Sequence, residues 1–250
     1  EMTSEGAKQF RHKFIKIDAL IFLNLAPEHI ESHGSYQNYV EAKLSIAKEL
    51  EKNLNSAIIV NKDDKESEKF LALNIPNKIS YSLGDAFNIQ ADENGSSFQL
   101  DKTVFHLKLP GLFNISNALS AIACGKHFGI EMEVIKKGLE SIKKIRGRVE
   151  KINLGQNFEV VVDYAHTPDS LKAIYEMYRD RQIIAVLGNT GGGRDKWKRP
   201  EMGKIADEYA TEIILTNEDP YDENPMEILE EMKVGIKHKP CEIILDRRTA

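Results

Sequence analysis

Apolar positions fall in short runs separated by longer polar stretches, and those runs predict the skeleton of the fold. Ala19-Leu20-Ile21-Phe22-Leu23 is a continuous apolar run of strand length and reads as a buried strand. The turn-like stretch from Asn24 to Gly34 follows. A helix then starts with Ser35 as its N-cap, carrying Tyr36, Val40, Ala47, Leu50 and Leu54 on one face. Ala57-Ile58-Ile59-Val60 predicts the next strand, and Ile79-Ser80-Tyr81-Ser82-Leu83 another. Residues 86–109 alternate apolar and polar around Asn94-Gly95, which predicts a hairpin closed by a type I′ turn. Pro110-Gly111 opens a helix with Ile115, Leu119, Ile122 and Ala123 facing inward.

A basic connector, Lys143-Lys144-Ile145-Arg146-Gly147-Arg148, marks a change of pattern. Beyond it, apolar strands at Glu159–Val162, Ile183–Leu187, Glu212–Thr216 and Glu242–Leu245 alternate with helical segments. Thr167-Pro168 places an N-cap and a first-turn proline at the start of one helix. Such alternation predicts an α/β fold, with a mostly parallel sheet covered on both faces. There is no internal repeat and no low-complexity tract.

Composition narrows the class. The 250 residues are 41% hydrophobic and 29% charged, too apolar for a disordered chain and enough for one large domain or two ordinary ones. No run approaches the ~18 apolar residues of a membrane helix, and no secretory pattern opens the chain. The net charge of −5 speaks against a protein that coats nucleic acid. Cys124 and Cys241 lie far apart without metal-ligand spacing; they read as small apolar residues in a reducing cytoplasm. The first residue is Glu1 rather than methionine, and the last follows closely on Ile243-Ile244-Leu245. Both ends read as cuts in a longer protein.

The candidate chemistry sits at strand ends. In open parallel sheets ligands bind beyond the carboxyl ends of the strands. Three polar loops are predicted there: Asp163-Tyr164-Ala165-His166, Gly188 to Lys196, and Thr216 to Tyr221. The triple glycine Gly191-Gly192-Gly193, followed by Arg194 and Lys196, reads either as an anion-cradling loop or as a solvated turn. It lacks the spacing of a dinucleotide fingerprint. Lys43 falls within an apolar helical stripe, where it must either snorkel or change its chemistry. The second option is loss of a proton and reaction with CO2 to a carbamate, whose oxygens can hold a divalent cation. Glu1 and Glu28-His29 supply further oxygen and nitrogen donors for a hard-cation site.

Several strings then occur in one order: Glu1-Met2-Thr3-Ser4, Asn24 to Gly34, Tyr39 to Lys43, Leu109 to Asn117, Gly147-Arg148-Val149-Glu150, Asp163 to Pro168, and Gly193 to Pro200. Together they resemble the Mur ligases of peptidoglycan synthesis, on the branch that adds the third residue to UDP-N-acetylmuramoyl-dipeptide. The resemblance covers essentially the whole chain. It implies a P-loop-type central domain, its C-terminal portion at residues 1–147, and a Rossmann-like C-terminal domain at 148–250. It also implies a cytoplasmic monomer without nucleic-acid or membrane partners. The implied reaction joins UDP-N-acetylmuramoyl-L-alanyl-D-glutamate to a diamino acid, L-lysine or diaminopimelate, at the expense of ATP and through an acyl phosphate. The implied metal site is Mg2+ on Glu1, His29 and carbamylated Lys43, the last two also catalytic. Thr3, Gln9 and Arg11 match contacts to the UDP-linked dipeptide. Asn114, Asn117, Arg148 and Asp163 match contacts to ATP, and Arg194 and Asp219 match positions that recognise the incoming amino acid.

Departures matter as well. The usual Asp-His is Glu28-His29, and the usual ExSSH reads Glu1-Met2-Thr3-Ser4-Glu5. The Asp-Asn-Pro-Arg string of diaminopimelate users reads Glu218-Asp219-Pro220-Tyr221, so the arginine that would grip the distal carboxylate bidentately is absent. That weakens the expectation of diaminopimelate specificity and admits lysine or another diamino acid. A folylpolyglutamate- or cyanophycin-synthetase-type ligase, or a non-catalytic nucleotide-binding relative, are the alternatives. The string G-x-x-x-x-G-K-[ST] occurs nowhere. The family's phosphate-cradling loop lies upstream of the position matching Glu1, so the expectation is that these 250 residues alone bind ATP poorly and do not turn over. Phosphate release at the rate of an intact ligase would refute it.

Overall fold

In the computed structural model, which describes residues 1–250, helix α1 (Ser4–Lys8) begins at Thr3, whose hydroxyl accepts from the Gly6 amide. Strand β1 (Ala19–Phe22) follows, then the short helix α2 (Ile30–His33) and the longer α3 (Tyr36–Ala47). The expected cap is present: the Ser35 hydroxyl accepts from the Asn38 amide. Strand β2 (Ala57–Asn61), helix α4 (Ser67–Leu71) and strand β3 (Asn77–Tyr81) complete a parallel sheet of order β1-β2-β3. A three-stranded antiparallel meander, β4 (Phe87–Ala91), β5 (Ser96–Leu100) and β6 (Thr103–Leu107), leads into helices α5 (Leu112–His127) and α6 (Met132–Ser141).

The chain divides into two compact units, Glu1–Pro27 with Ser35–Arg146, and Glu28–Gly34 with Gly147–Ala250. In the first unit β2 is buried at every position because it is the central strand and both its faces are covered. Ile58 and Val60 point into one apolar cluster with Phe22, Val40, Leu50 and Phe70, where the rings of Phe22 and Phe70 stack at 3.9 Å. Ile59, pointing the other way, joins Phe98, Phe105, Ile115, Leu119 and Ile122.

The second unit takes in α2 and continues with strands β7 (Glu150–Ile152) and β8 (Val160–Val162), an antiparallel pair. Then come α7 (Pro168–Met177), β9 (Ile184–Leu187), α8 (Lys198–Tyr209), β10 (Glu212–Leu215), α9 (Pro225–Lys233) and β11 (Cys241–Ile243). The last three strands form a parallel sheet of order β11-β10-β9. Thr167 caps α7, accepting from the Ser170 amide with Pro168 in the first turn. Ala185, Leu187, Ile213 and Leu215 pack against Leu171 and Tyr175 of α7, Met202 and Ala206 of α8, and Leu229 and Met232 of α9.

Four local expectations are corrected. The regular helix stops at Ala47 and a 3-10 turn runs to Lys52; Leu50 still turns inward, whereas Leu54 falls in the following loop, 86% exposed. The Asn94-Gly95 turn is not type I′, because neither residue has positive φ. The Asp92 carboxylate instead accepts from the Asn94 and Gly95 amides, and a longer loop closes on that side chain. The second-half sheet is not covered on both faces, since α7, α8 and α9 all join one cluster. Ile184 and Val186 on the other face of β9 stay 63% and 54% exposed. Nor does the expected strand at Glu159–Val162 join that sheet: β8 pairs antiparallel with β7 in a separate two-stranded ribbon, while β9, β10 and β11 all run parallel. Cys124 and Cys241 are unpaired and half-buried.

Helices α8 and α9 approach so closely that a Cβ on Gly203 would sit 2.0 Å from the Met232 carbonyl oxygen. Gly203→Ala is expected to lower the stability of the second unit by about 1–3 kcal/mol through overpacking, read from denaturant midpoints at unchanged m-value.

Candidate functional site

Two groups of predicted residues assemble in the first unit. Thr3 and Arg11 flank Gly6, with Thr3 Oγ1 and Arg11 Cδ both within 4 Å of where a Cβ on that glycine would sit. Gln9 and Arg11 are exposed in the turn after α1, so these side chains are presented to solvent on one short segment. Lys43, half-buried on α3, donates from Nζ to the Met2 carbonyl at 3.3 Å, one residue from Glu1. The second group is at the start of α5. There Asn114 is buried and donates to the Pro110 carbonyl at 2.7 Å, while Asn117 donates to Asn114 Oδ1 at 3.4 Å.

The second unit gathers its polar loops beyond the carboxyl ends of β8, β9 and β10, where open sheets bind ligands. Asp163, directly after β8, spends both carboxylate oxygens on backbone: Oδ2 accepts from the Val149 amide at 2.8 Å and Oδ1 from Ala165 at 2.7 Å. It thereby pins the connector beside its own loop, and the Arg148 guanidinium stacks over the Tyr164 ring at 4.9 Å. Arg148 and Asp163 are thus brought together, with Asp163 acting as an organiser of backbone.

Segment Glu28–Gly34 reaches this cluster. His166 Nε2 lies 2.8 Å from Glu28 Oε1 and its Nδ1 lies 3.0 Å from the Tyr164 carbonyl. Both partners are acceptors, so the ring is suited to carry a proton on each nitrogen. The hydrogen bond to Glu28 raises the His166 pKa above its ordinary value, and the same bond lowers that of Glu28. Lys198, at the start of α8, is nearly buried, and burial lowers its pKa against the pull of Glu28, Asp195 and Glu218. Sequence reading singled out neither His166 nor Lys198. His166 lay within a recognised string, but its partner is 138 positions away and no spacing announces it.

The glycine loop closes on itself. The Gly191 amide donates to the Asp219 carbonyl at 2.8 Å, and a Cβ on Gly191 would meet the Pro220 oxygen at 2.2 Å, so only glycine fits. The Gly193 amide does meet an anion, the Glu223 carboxylate, at 2.9 Å. Fully buried Arg199 holds that same carboxylate bidentately at 3.0 and 3.1 Å and takes Glu231 at 2.7 Å. Lys196 adds its ammonium at 3.1 Å. Arg194 is exposed and donates to the Tyr221 hydroxyl at 3.2 Å, its guanidinium 5.2 Å above the ring. Asp219 is exposed, two residues before Tyr221 in the chain.

Of the expected metal donors, Glu1 and Lys43 belong to the first unit and His29 to the second. No group of three or more His, Cys, Asp or Glu side chains converges to hold a metal ion. The donor chemistry itself, carboxylate and imidazole, suits a hard divalent cation. Lys43 Nζ reaches the backbone one residue from Glu1.

Comparison with known proteins gives a consistent picture. The Mur ligase middle domain matches residues 1–125, and the domain described as "Mur ligase, glutamate ligase domain" matches residues 147–250. A UDP-N-acetylmuramoyl-L-alanyl-D-glutamate–2,6-diaminopimelate ligase of Syntrophomonas wolfei is 36% identical over 100% of this chain and 54% of its own length. Its counterpart from Caldanaerobacter subterraneus is 34% identical with the same coverage. The chain therefore spans about half the length of the curated relatives it matches. Among solved structures, MurF from Acinetobacter baumannii superposes with a TM-score of 0.77 at 20% identity, over 94% of this chain and 52% of that one. A folylpolyglutamate synthase of Mycobacterium tuberculosis gives 0.75 at 15%, over 94% and 56%. At such identities these two speak for the fold alone.

The Arg199 guanidinium holds the Glu223 carboxyl down at about 2, from an ordinary value of 4.5. A depressed carboxylate stabilises the fold above its unfolded pKa and loses that contribution as pH falls through its folded one. Glu223→Gln is expected to destabilise the second unit at neutral pH. The gap to the parent should shrink as pH drops from about 4.5 towards about 2, followed by denaturant unfolding across that range. A gap independent of pH would count against the pair.

Proposed function

Because the chain belongs to the Mur ligase family, we propose that the protein carrying it is an ATP-dependent amide-forming ligase of peptidoglycan synthesis. It joins UDP-N-acetylmuramoyl-L-alanyl-D-glutamate to a diamino acid, L-lysine or diaminopimelate. Similarity along the whole of this chain, and about half of theirs, to relatives named as 2,6-diaminopimelate ligases supports this reading. The observation that carries it is the meeting of the Glu28-His29 segment with the Asp163–His166 and Gly188–Lys196 loops at the strand ends of one unit. Residues 1–147 serve as the C-terminal part of the central domain and residues 148–250 as the C-terminal domain. A cytoplasmic monomer without nucleic-acid or membrane partners is part of the same proposal; no helix is long and apolar enough to cross a membrane.

In the proposed reaction a carboxylate oxygen of the dipeptide attacks the γ-phosphorus of ATP, forming the acyl phosphate as the bond to the bridging oxygen of ADP breaks. The amine of the incoming amino acid then attacks the acyl carbon, phosphate leaves, and the ammonium gives up a proton. Such chemistry is mostly positioning and charge stabilisation. Thr3, Gln9 and Arg11 hold the UDP-linked dipeptide. For ATP the proposed contacts are Asn117 with the buried Asn114 that holds it, in the first unit, and Arg148 with Asp163, which shapes the loop beside it, in the second. Glu1, His29 and carbamylated Lys43 would hold Mg2+, which when bound offsets charge on the phosphoryl group. Arg194 and Asp219 receive the amino acid.

Tyr221 bears on which amino acid that is. Its hydroxyl occupies Arg194 and offers no second guanidinium, so a distal carboxylate would meet one cation rather than two. The deciding measurement is an amino-acid panel on the full-length protein with UDP-linked dipeptide, ATP and magnesium. The expected outcome is incorporation of a diamino acid, with Tyr221→Arg shifting preference towards diaminopimelate by about 10-fold or more, the order of one charge-assisted hydrogen bond. Transfer of glutamate to a folate, or of nothing, would overturn the assignment.

A further inference from the structure

The Asp195 side chain is buried, and it leaves the glycine loop to accept from three consecutive amides 164 to 166 positions away. Oδ2 takes the His29 amide at 2.5 Å, and Oδ1 takes Ile30 at 2.9 Å and Glu31 at 3.4 Å. The tie is reciprocal, because Glu31 Oε1 accepts from the Lys196 amide at 3.1 Å. His29 is itself in the left-handed region, at φ 56° and ψ 25°, which is unfavourable for a residue with a Cβ and persists only where its surroundings over-determine it. Its side chain offers no cap to α2; the carboxylate of Asp195 does that work instead. The residue before Asp195 in the chain is Arg194, stacked on Tyr221. One loop therefore carries both the side chain proposed to read the amino acid and the clamp on the His29 backbone.

We propose that Asp195 is a positioning residue, which fixes the backbone of His29 and so the direction in which its imidazole is offered to the divalent cation. This rests on the reading of His29 as a metal donor. Partners outside the donor set orient a metal-binding imidazole; Asp195 does so through the backbone that carries the ring, while Glu28 Oε1 lies 3.7 Å from His29 Nε2. A neutral amide of the same size keeps one acceptor and loses the charge that draws three N–H groups together.

The test uses Asp195→Asn and Asp195→Ala beside His29→Ala in the full-length protein. Amide hydrogen exchange supplies a readout that does not depend on turnover. Exchange at His29, Ile30 and Glu31 is expected to speed up by about 10-fold or more in both Asp195 variants, while the amides of Ile59 and Ile213 stay protected. The Mg2+ concentration for half-maximal phosphate release is expected to rise about 10-fold in Asp195→Asn, with excess Mg2+ restoring most of the rate. Unchanged exchange at those amides would overturn the proposal. So would faster exchange with an unaltered Mg2+ requirement, provided that His29→Ala does raise that requirement. If His29→Ala leaves it unaltered, the metal reading of His29 falls and the proposal with it.

Discussion

A guanidinium that water cannot reach must find its counter-charges inside the fold, and in the second unit that requirement organises the strand-end loops. Arg199 takes Glu223 from the β10–α9 loop, Glu231 from α9 and the Thr190 carbonyl from the β9–α8 loop. Removing the bidentate carboxylate from such a group leaves a buried charge poorly compensated, which costs more than the pair is worth when intact. The three pieces of chain are therefore held in one arrangement. Glu223 is then in place for the Gly193 amide and the Lys196 ammonium, and the glycine loop takes the shape that sets Arg194 against Tyr221 and Asp195 against the His29 backbone.

The first unit follows a different logic. Its centre is apolar on both faces of β2, and several polar side chains near its candidate site residues are held by short-range bonds. Thr3 caps α1, Ser35 caps α3, and Asn114 returns its amide to the Pro110 carbonyl. Each bond spans only a few residues. Exposed side chains such as Gln9 and Arg11 can then face a ligand without carrying the fold.

This contrast explains how much of the protein was legible beforehand. The strands at Ala19–Phe22 and Ile184–Leu187, the caps at Ser35 and Thr167, and the buried stripe Ile115, Leu119 and Ile122 were all readable, since each depends on periodicity or on neighbours within a turn. Leu54 was misplaced because the helical register it was counted on ends at Ala47. The Asn94-Gly95 turn was misassigned because Asp92, just outside the dipeptide, had a stronger local bond to offer. The triple glycine stayed ambiguous between an anion cradle and a turn, and the anion that resolved it was the protein's own Glu223.

By itself the sequence determined the α/β class, the capping residues, and an ordered set of strings specific enough to name a family. Only the tertiary structure decided that Glu28 pairs with His166, that Asp195 seizes the amides of His29 to Glu31, that Arg199 is buried among glutamates, and that one face of β9 remains open. The physical reason is sequence separation. Within a turn, helix and strand geometry brings side chains together at fixed offsets, so identity and spacing suffice. Partners 138 or 166 positions apart meet only where packing returns the chain to the same place, and no local rule encodes where that will be.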